Sequence, residues 1–428
     1  MRIPAVLAGI ALLLPAGPVG AHASKSPGQG HPHPHPVHHD TQKPQADGKE
    51  SPLHQQHRAD GSKLSRHQPV AGFFKELKPK LHELGLLIQI DMAFYDEYAS
   101  KVVEGIDQQN FGTYSWRLYT DWRFYQSDEI GSFFFDFTLL GSPTLNYSSS
   151  SEFSSRNIAS ISELNGNIYP DPAALDEMLV KYVSPSTRFV FGAGKVDLSN
   201  RFDTNRVAND AFSQFFAFAL ENNLSVPWPV FGGIGAFFRA NINENIYIMV
   251  AGANSVVDHG FQFGTEIGNK SWYQMAEVGV TVEIPFLGKG HYKLTPWHNR
   301  IAGPEGGEGW GVGINFDQAL YFEHLVAFFR FGVGEPEATP INLFVSGGLT
   351  WLKPFNRKHD MAGLGVAFSR PTEAKDVYHS ETLVEIFYRF AILPWLTLTP
   401  DFQVVHRPAN DPERGVVFVP GVRFSSSF

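Results

Sequence analysis

The chain has 428 residues, enough for one large or two medium domains, and is rich in Gly (40), Phe (37) and aromatic residues overall (14%). It has no Cys, which excludes disulfides, thiol catalysis and thiolate-bound metal. A net charge of −9, with no basic patch interleaved with aromatics, argues against nucleic acid as a partner. Mean hydropathy is −0.16, a value open to a transmembrane barrel, in which only alternate residues face lipid. Beyond the N-terminus no uncharged apolar run reaches the roughly 18 residues that a spanning helix needs.

Residues 1–23 read as a secretory signal. Arg2 gives the positive start, residues 5–14 the apolar stretch, and Ala21-His22-Ala23 the small-x-small cleavage site. Residues 24–70 are polar, rich in Pro and His, and too poor in large apolar side chains to offset the entropy of ordering; disorder is expected. His31, His33, His35, His38 and His39 stand close together there. Neutral imidazoles ligate metals, so Zn, Cu or Ni is a candidate cofactor, and a solvated tether is the competing reading. Residues 71–83 form a short helical lead-in interrupted by Pro79.

From residue 84 the pattern switches to period 2, broken by clusters of Gly, Pro, Asn, Asp and Ser. Strands are expected near 84–96, 113–126, 131–141, 176–184, 187–196, 230–241, 245–253, 271–284, 289–298, 309–318, 324–332, 341–351, 361–369, 380–391, 395–405 and 416–428. In the clearest, one face is apolar and the other charged, since side chains alternate across a strand. Trp116, Leu118, Trp122 and Phe124 oppose Arg117, Asp121 and Arg123. Phe133, Phe135, Phe137 and Leu139 oppose Asp136. Val278, Val280 and Val282 oppose Glu277 and Glu283. Leu325, Phe329 and Phe331 oppose Arg330, Ile386 and Phe390 oppose Glu385 and Arg389, and Phe402 and Val404 oppose Asp401. A soluble sandwich would also alternate. The bulk of the aromatic faces, and Trp116, Trp272, Trp297, Trp310, Trp351 and Trp395 near strand ends, match the girdles of a membrane barrel instead. The expected fold is thus all-β: a transmembrane antiparallel β-barrel of about sixteen strands over residues 84–428, wide enough for an aqueous channel unless something folds into it.

Two stretches interrupt the strands. Residues 146–174 read as a Ser/Asn/Pro-rich loop, and residues 197–228 as a polar, then aromatic insertion expected inside the barrel or across its mouth. The last strand ends on Phe428, with Phe418, Val422 and Phe424 on its apolar face and Arg423 on the other.

In this strand and the ones before it the chain resembles the carbohydrate-selective porin family, OprB type. The residues are Glu385, Tyr388-Arg389, Leu393, Trp395, Leu398-Thr399-Pro400-Asp401 and Gln403. A more diffuse block comprises Phe191-Gly192, Lys195, Asp197, Arg201-Phe202-Asp203, Asn209, Phe212 and Pro227, and Leu84-Gly85 opens the barrel. His406-Arg407-Pro408-Ala409-Asn410 departs from the turn expected after Gln403, and residues 24–70 lie outside the resemblance. The resemblance implies a multi-pass protein of the bacterial outer membrane, its N-terminal segment periplasmic, that lets small sugars diffuse passively. Its partners would be outer-membrane lipid, sugar solutes and the barrel-assembly machinery, with Phe428 as the assembly signal and a monomeric or trimeric state. Inward charges suited to sugar hydroxyls are Arg117, Asp121, Arg123, Asp136, Glu277, Glu283, Arg330, Glu385, Arg389, Asp401 and Arg423, with Lys195 and Arg239 added. The alternative role for each is an inter-strand salt bridge. A metal-related channel using the His-rich segment is a second reading. An outer-membrane enzyme is a third, although no catalytic signature, phosphate-binding Gly loop or His-Glu-x-x-His motif occurs.

Overall fold

A computed structural model of the protein describes residues 77–428, apart from 147–149, 167–170, 230–231, 256–259, 263–270, 302–306, 321–323 and 373–378. The signal sequence, the His-rich segment with His31, His33, His35, His38 and His39, and the start of the lead-in lie outside the described residues. Residues 77–83 form a short helix.

The described residues that follow form sixteen strands: β1 (Leu86–Tyr98), β2 (Asn110–Ser127), β3 (Gly131–Gly141), β4 (Ala174–Val183), β5 (Phe189–Val196), β6 (Gly233–Asn241), β7 (Ile246–Asn254), β8 (Trp272–Ile284), β9 (Gly288–Arg300), β10 (Glu308–Leu320), β11 (Leu325–Gly334), β12 (Ile341–Leu352), β13 (Met361–Pro371), β14 (Glu381–Leu393), β15 (Leu396–His406) and β16 (Val416–Ser427). Each pairs antiparallel with its sequence neighbours, and β1 pairs with β16 to close the barrel. Closure runs from Asp91 opposite Ser427 to Glu97 opposite Gly421. It falls several residues past Leu84, because the strands of a barrel are staggered. No sheet edge is left, as lipid requires, since an unpaired backbone group finds no water there.

The connections are unequal. One end has short turns, such as residues 128–130 and 394–395; the other has the long loops 142–173 and 197–232. Short periplasmic turns and long outer loops are the usual barrel arrangement. No helix among the described residues is long and apolar enough to cross a membrane. The outer wall exposes Phe94, Trp122, Phe191, Phe238, Val250, Leu294, Leu364, Ile386 and Phe424. The alternation read from the sequence sets which residues face out.

The apolar core sits inside the barrel. Phe215, Ala217, Leu220 and Leu224 of the second long loop pack with Phe153, Ile158 and Leu164 of the first. Both press against Phe328, Phe344, Leu383, Phe387, Val405, Val417 and Val419 of the wall. Each fully buried Phe or Leu contributes roughly 1.5–3 kcal/mol. The loops also pair through their backbones: Phe218 donates to the Glu163 carbonyl (2.8 Å), and Gly166 to that of Phe216 (2.7 Å). A second cluster joins Leu198, Phe202 and Val226 to Phe237, Met249, Tyr273 and Trp297. The expected inward position of the 197–228 insertion is what the structure has. The earlier loop, read only as a loop, folds inward with it.

Candidate functional site

Much of the inner wall grips the loops, while Arg117 on β2 and Lys181 on β4 stay partly exposed. The grip begins with small residues. A side chain at Gly363 or Gly365 would collide with Phe215, and one at Gly365 also with Leu220. One at Gly332 would collide with Asn223 and Ser225. Inward glycines on β11 and β13 are therefore the seats of the loop residues.

Charges lock what the glycines admit. The Arg330 guanidinium donates to the Asp203 carboxylate (2.8 Å) and to the carbonyls of Leu220 (2.9 Å), Ala208 (2.8 Å) and Asp203 (3.1 Å). Arg423 donates to the carbonyls of Ala211 and Gln214 and lies over the Phe216 ring at 4.5 Å. Glu385 accepts the backbone N–H of Phe216 (2.6 Å) and Ala217 (2.9 Å). Glu277 accepts the N–H of Asp203 (2.9 Å), the Tyr247 hydroxyl (2.6 Å) and the Thr295 hydroxyl (2.9 Å). Arg389 donates to the Ser213 carbonyl (2.9 Å). Arg117 pairs with Asp91 (3.2 Å) on β1 and Asp210 (3.5 Å) in the loop. Glu381 holds the first loop through the Ser160 (2.7 Å) and Ser162 (2.5 Å) hydroxyls.

The site expectation is corrected accordingly. Arg330, Arg423, Glu277 and Glu385 point inward but are fully buried, so they do not line open water. They anchor the loops, and Glu277 also ties β8 to β7 and β9 through Tyr247 and Thr295. Asp401 is buried beside Gln403, whose amide donates to it (3.2 Å), and is likewise covered. Lys195 is also corrected. Its register partners Met178 and Ile234 place it in the outward row, and its ammonium donates to the Gln262 carbonyl. Glu283 faces inward at the exposed end of β8, in register with Lys289.

The remaining inward charges meet across β2–β6. Arg123, Phe134, Lys181, Gly192 and Phe237 fall in one register row. The Lys181 ammonium bridges Asp121 (2.9 Å) and Asp136 (2.8 Å) and sits 4.9 Å from the Phe134 centroid. Arg201, from the loop, pairs with Glu177 and lies over Phe237 at 4.6 Å. Arg239 lies over Tyr247 at 3.8 Å, with its Nε donating to Asn241 (2.9 Å). Lys181 and Arg201 were missed as site residues. Lys181 stands on a weakly patterned strand, while Arg201 had a signal in the Arg201-Phe202-Asp203 block. Phe428 stacks on Trp395, with ring centroids 5.3 Å apart, at the short-turn end.

A closed antiparallel barrel of sixteen strands, apolar outside and polar or loop-filled inside, has the architecture of a transmembrane β-barrel. Residues 301–428, from the end of β9 through β16, match the family described as "Carbohydrate-selective porin, OprB family", in the same region that carries the sequence resemblance. The chain is also 25% identical over 323 residues to Porin AaxA of Chlamydia pneumoniae, covering 73% of this chain and 72% of that one. It is 28% identical over 218 residues to an uncharacterised protein of Aquifex aeolicus, covering 51% of this chain and 60% of that one. Among solved structures, the high-pH form of OprB from Pseudomonas putida is similar with a TM-score of 0.67, at 16% identity, covering 83% of this chain and 97% of that one. The outer-membrane channel DcaP of Acinetobacter baumannii is similar with a TM-score of 0.51, at 9% identity, covering 80% of this chain and 98% of that one. Both structural likenesses concern the fold.

Proposed function

We propose that this protein gives small hydrophilic solutes, carbohydrates among them, a passive route through the part of the lumen that the two loops leave to water. The observation that carries this reading is the packing of two anchored loops inside a closed barrel. Inward loops of this kind narrow a sixteen-stranded lumen to a constriction. A diffusion channel needs a wet path, a constriction and lining groups that replace part of a solute's hydration; it needs no catalyst. The β2–β6 wall supplies guanidinium, ammonium, carboxylate and aromatic groups that can meet sugar hydroxyls and C–H faces. The OprB-family match over residues 301–428 supports carbohydrates as the solute class. Phe428, closing β16 against Trp395, is the residue we assign to recognition by the assembly machinery. The test is swelling of proteoliposomes in isosmotic sugars. Swelling that slows from pentoses to disaccharides supports the reading, and absence of swelling with every sugar contradicts it.

A further inference from the structure

We infer that the β2–β6 wall is a cationic track that favours carboxylate-bearing solutes, sugar acids within the carbohydrate class, over neutral or cationic ones. The inference rests on the channel reading above and names the solutes that channel prefers.

The protein carries a net charge of −9, yet along β2–β6 the more exposed partner of each ion pair is the basic one. In the wall's ion pairs the basic partner stands forward and the acid behind it. The Lys181 side chain is 18% exposed against 3% for Asp136, and Arg201 is 14% exposed against 4% for Glu177. Arg117 (21% against 1% for Asp91) and Arg206 (18% against 3% for Asp317) continue the asymmetry on either side. Asp121, at 15%, is the acid that shares this surface. Arg123 and Arg239 add inward guanidiniums that make no ion pair among the described residues.

Aromatic faces hold these cations in place. Phe134 lies under Lys181, Phe237 under Arg201, and Tyr247 under Arg239. A guanidinium resting on a ring keeps its planar fork of donors, which matches a carboxylate in bidentate fashion. Low-dielectric walls lined by one sign of charge focus the field and concentrate the opposite ion. A neutral sugar can use the same donors for its hydroxyls, but a sugar acid adds an ionic attraction.

The experiment uses the full-length protein in planar bilayers. Reversal potentials in a tenfold KCl gradient read ion preference; glucose and glucuronate are titrated as blockers of the current. The expected result is a chloride preference, with half-block by glucuronate at a several-fold lower concentration than by glucose. Arg123→Gln with Arg239→Gln is expected to shrink both effects while current steps persist, and Arg239→Lys to retain the chloride preference. Current steps with a cation preference, or equal block by the two sugars, would overturn this inference and leave the channel intact. A wild-type protein that never conducts would overturn both.

Discussion

At the scale of single residues, charge in this barrel mainly fixes structure. Arg330 reaches Asp203, far earlier in the chain, and meets five acceptors with one guanidinium. Removing one partner of a buried pair strands the other charge, at about 3–5 kcal/mol. Arg330→Ala should therefore lower the thermal midpoint of the detergent-solubilised protein markedly, by far more than Glu283→Gln at the exposed rim. Equal midpoints for the two variants would contradict the anchoring role. The face of each inward residue was legible from period-2 alternation; its role was not. Alternation says that Arg330 points inward but not that Asp203 waits there. Lys195 fails even on facing, because its outward-row position carries a charge that a lipid-facing row does not ordinarily hold.

At the scale of elements, the two inserted loops and the wall were built for each other. Gly365 meets Phe215 and Leu220 so closely that Gly365→Val must displace these two side chains of the second loop from their seat on β13. The expected consequence is faster protease cleavage within residues 197–228 while the barrel strands stay protected. Unchanged cleavage would mean that the loop is not seated there. The same docking has a pH signature. Burial pushes the Glu163 carboxyl in the first loop up to about 7, against a hydrogen bond from Ser151. Burial, with the Asp210 charge nearby, holds Glu221 in the second loop well above its ordinary range. A carboxyl whose folded pKa is raised binds its proton more tightly in the folded state. Its contribution is fully present below the ordinary value of 4.5 and is lost as pH rises through about 7. Glu163→Gln should then gain stability over wild type progressively across that window, read as the difference between their melting midpoints. A difference that stays flat or reverses would contradict the burial of this side chain. The inward location of the second loop was legible from its aromatic run. Its partnership with the first loop was not, since residues 146–174 read as polar punctuation and their contacts form only after the barrel closes.

At the scale of the whole molecule, one repeated rule gives the architecture. Alternation with a bulky apolar face, repeated sixteen times with short turns between, closes a sheet that lipid can surround. Closure with this many strands leaves a lumen too wide to be filled by wall side chains alone. The loops fill much of it with apolar clusters against the wall, and the cations along β2–β6 stay partly exposed beside them. The high glycine content, which sequence reading assigned to turns, also serves the inner wall, where Gly332, Gly363 and Gly365 admit the loop.

In the proposed channel, the docked loops set the size of the path. Single-channel recording in planar bilayers, comparing wild type with Gly365→Val, tests it most directly. Wild type is expected to give small, uniform current steps, and the variant steps several-fold larger or fluctuating between large and small as the loop is displaced. Steps of identical size in the two proteins, or no current from either, would contradict it.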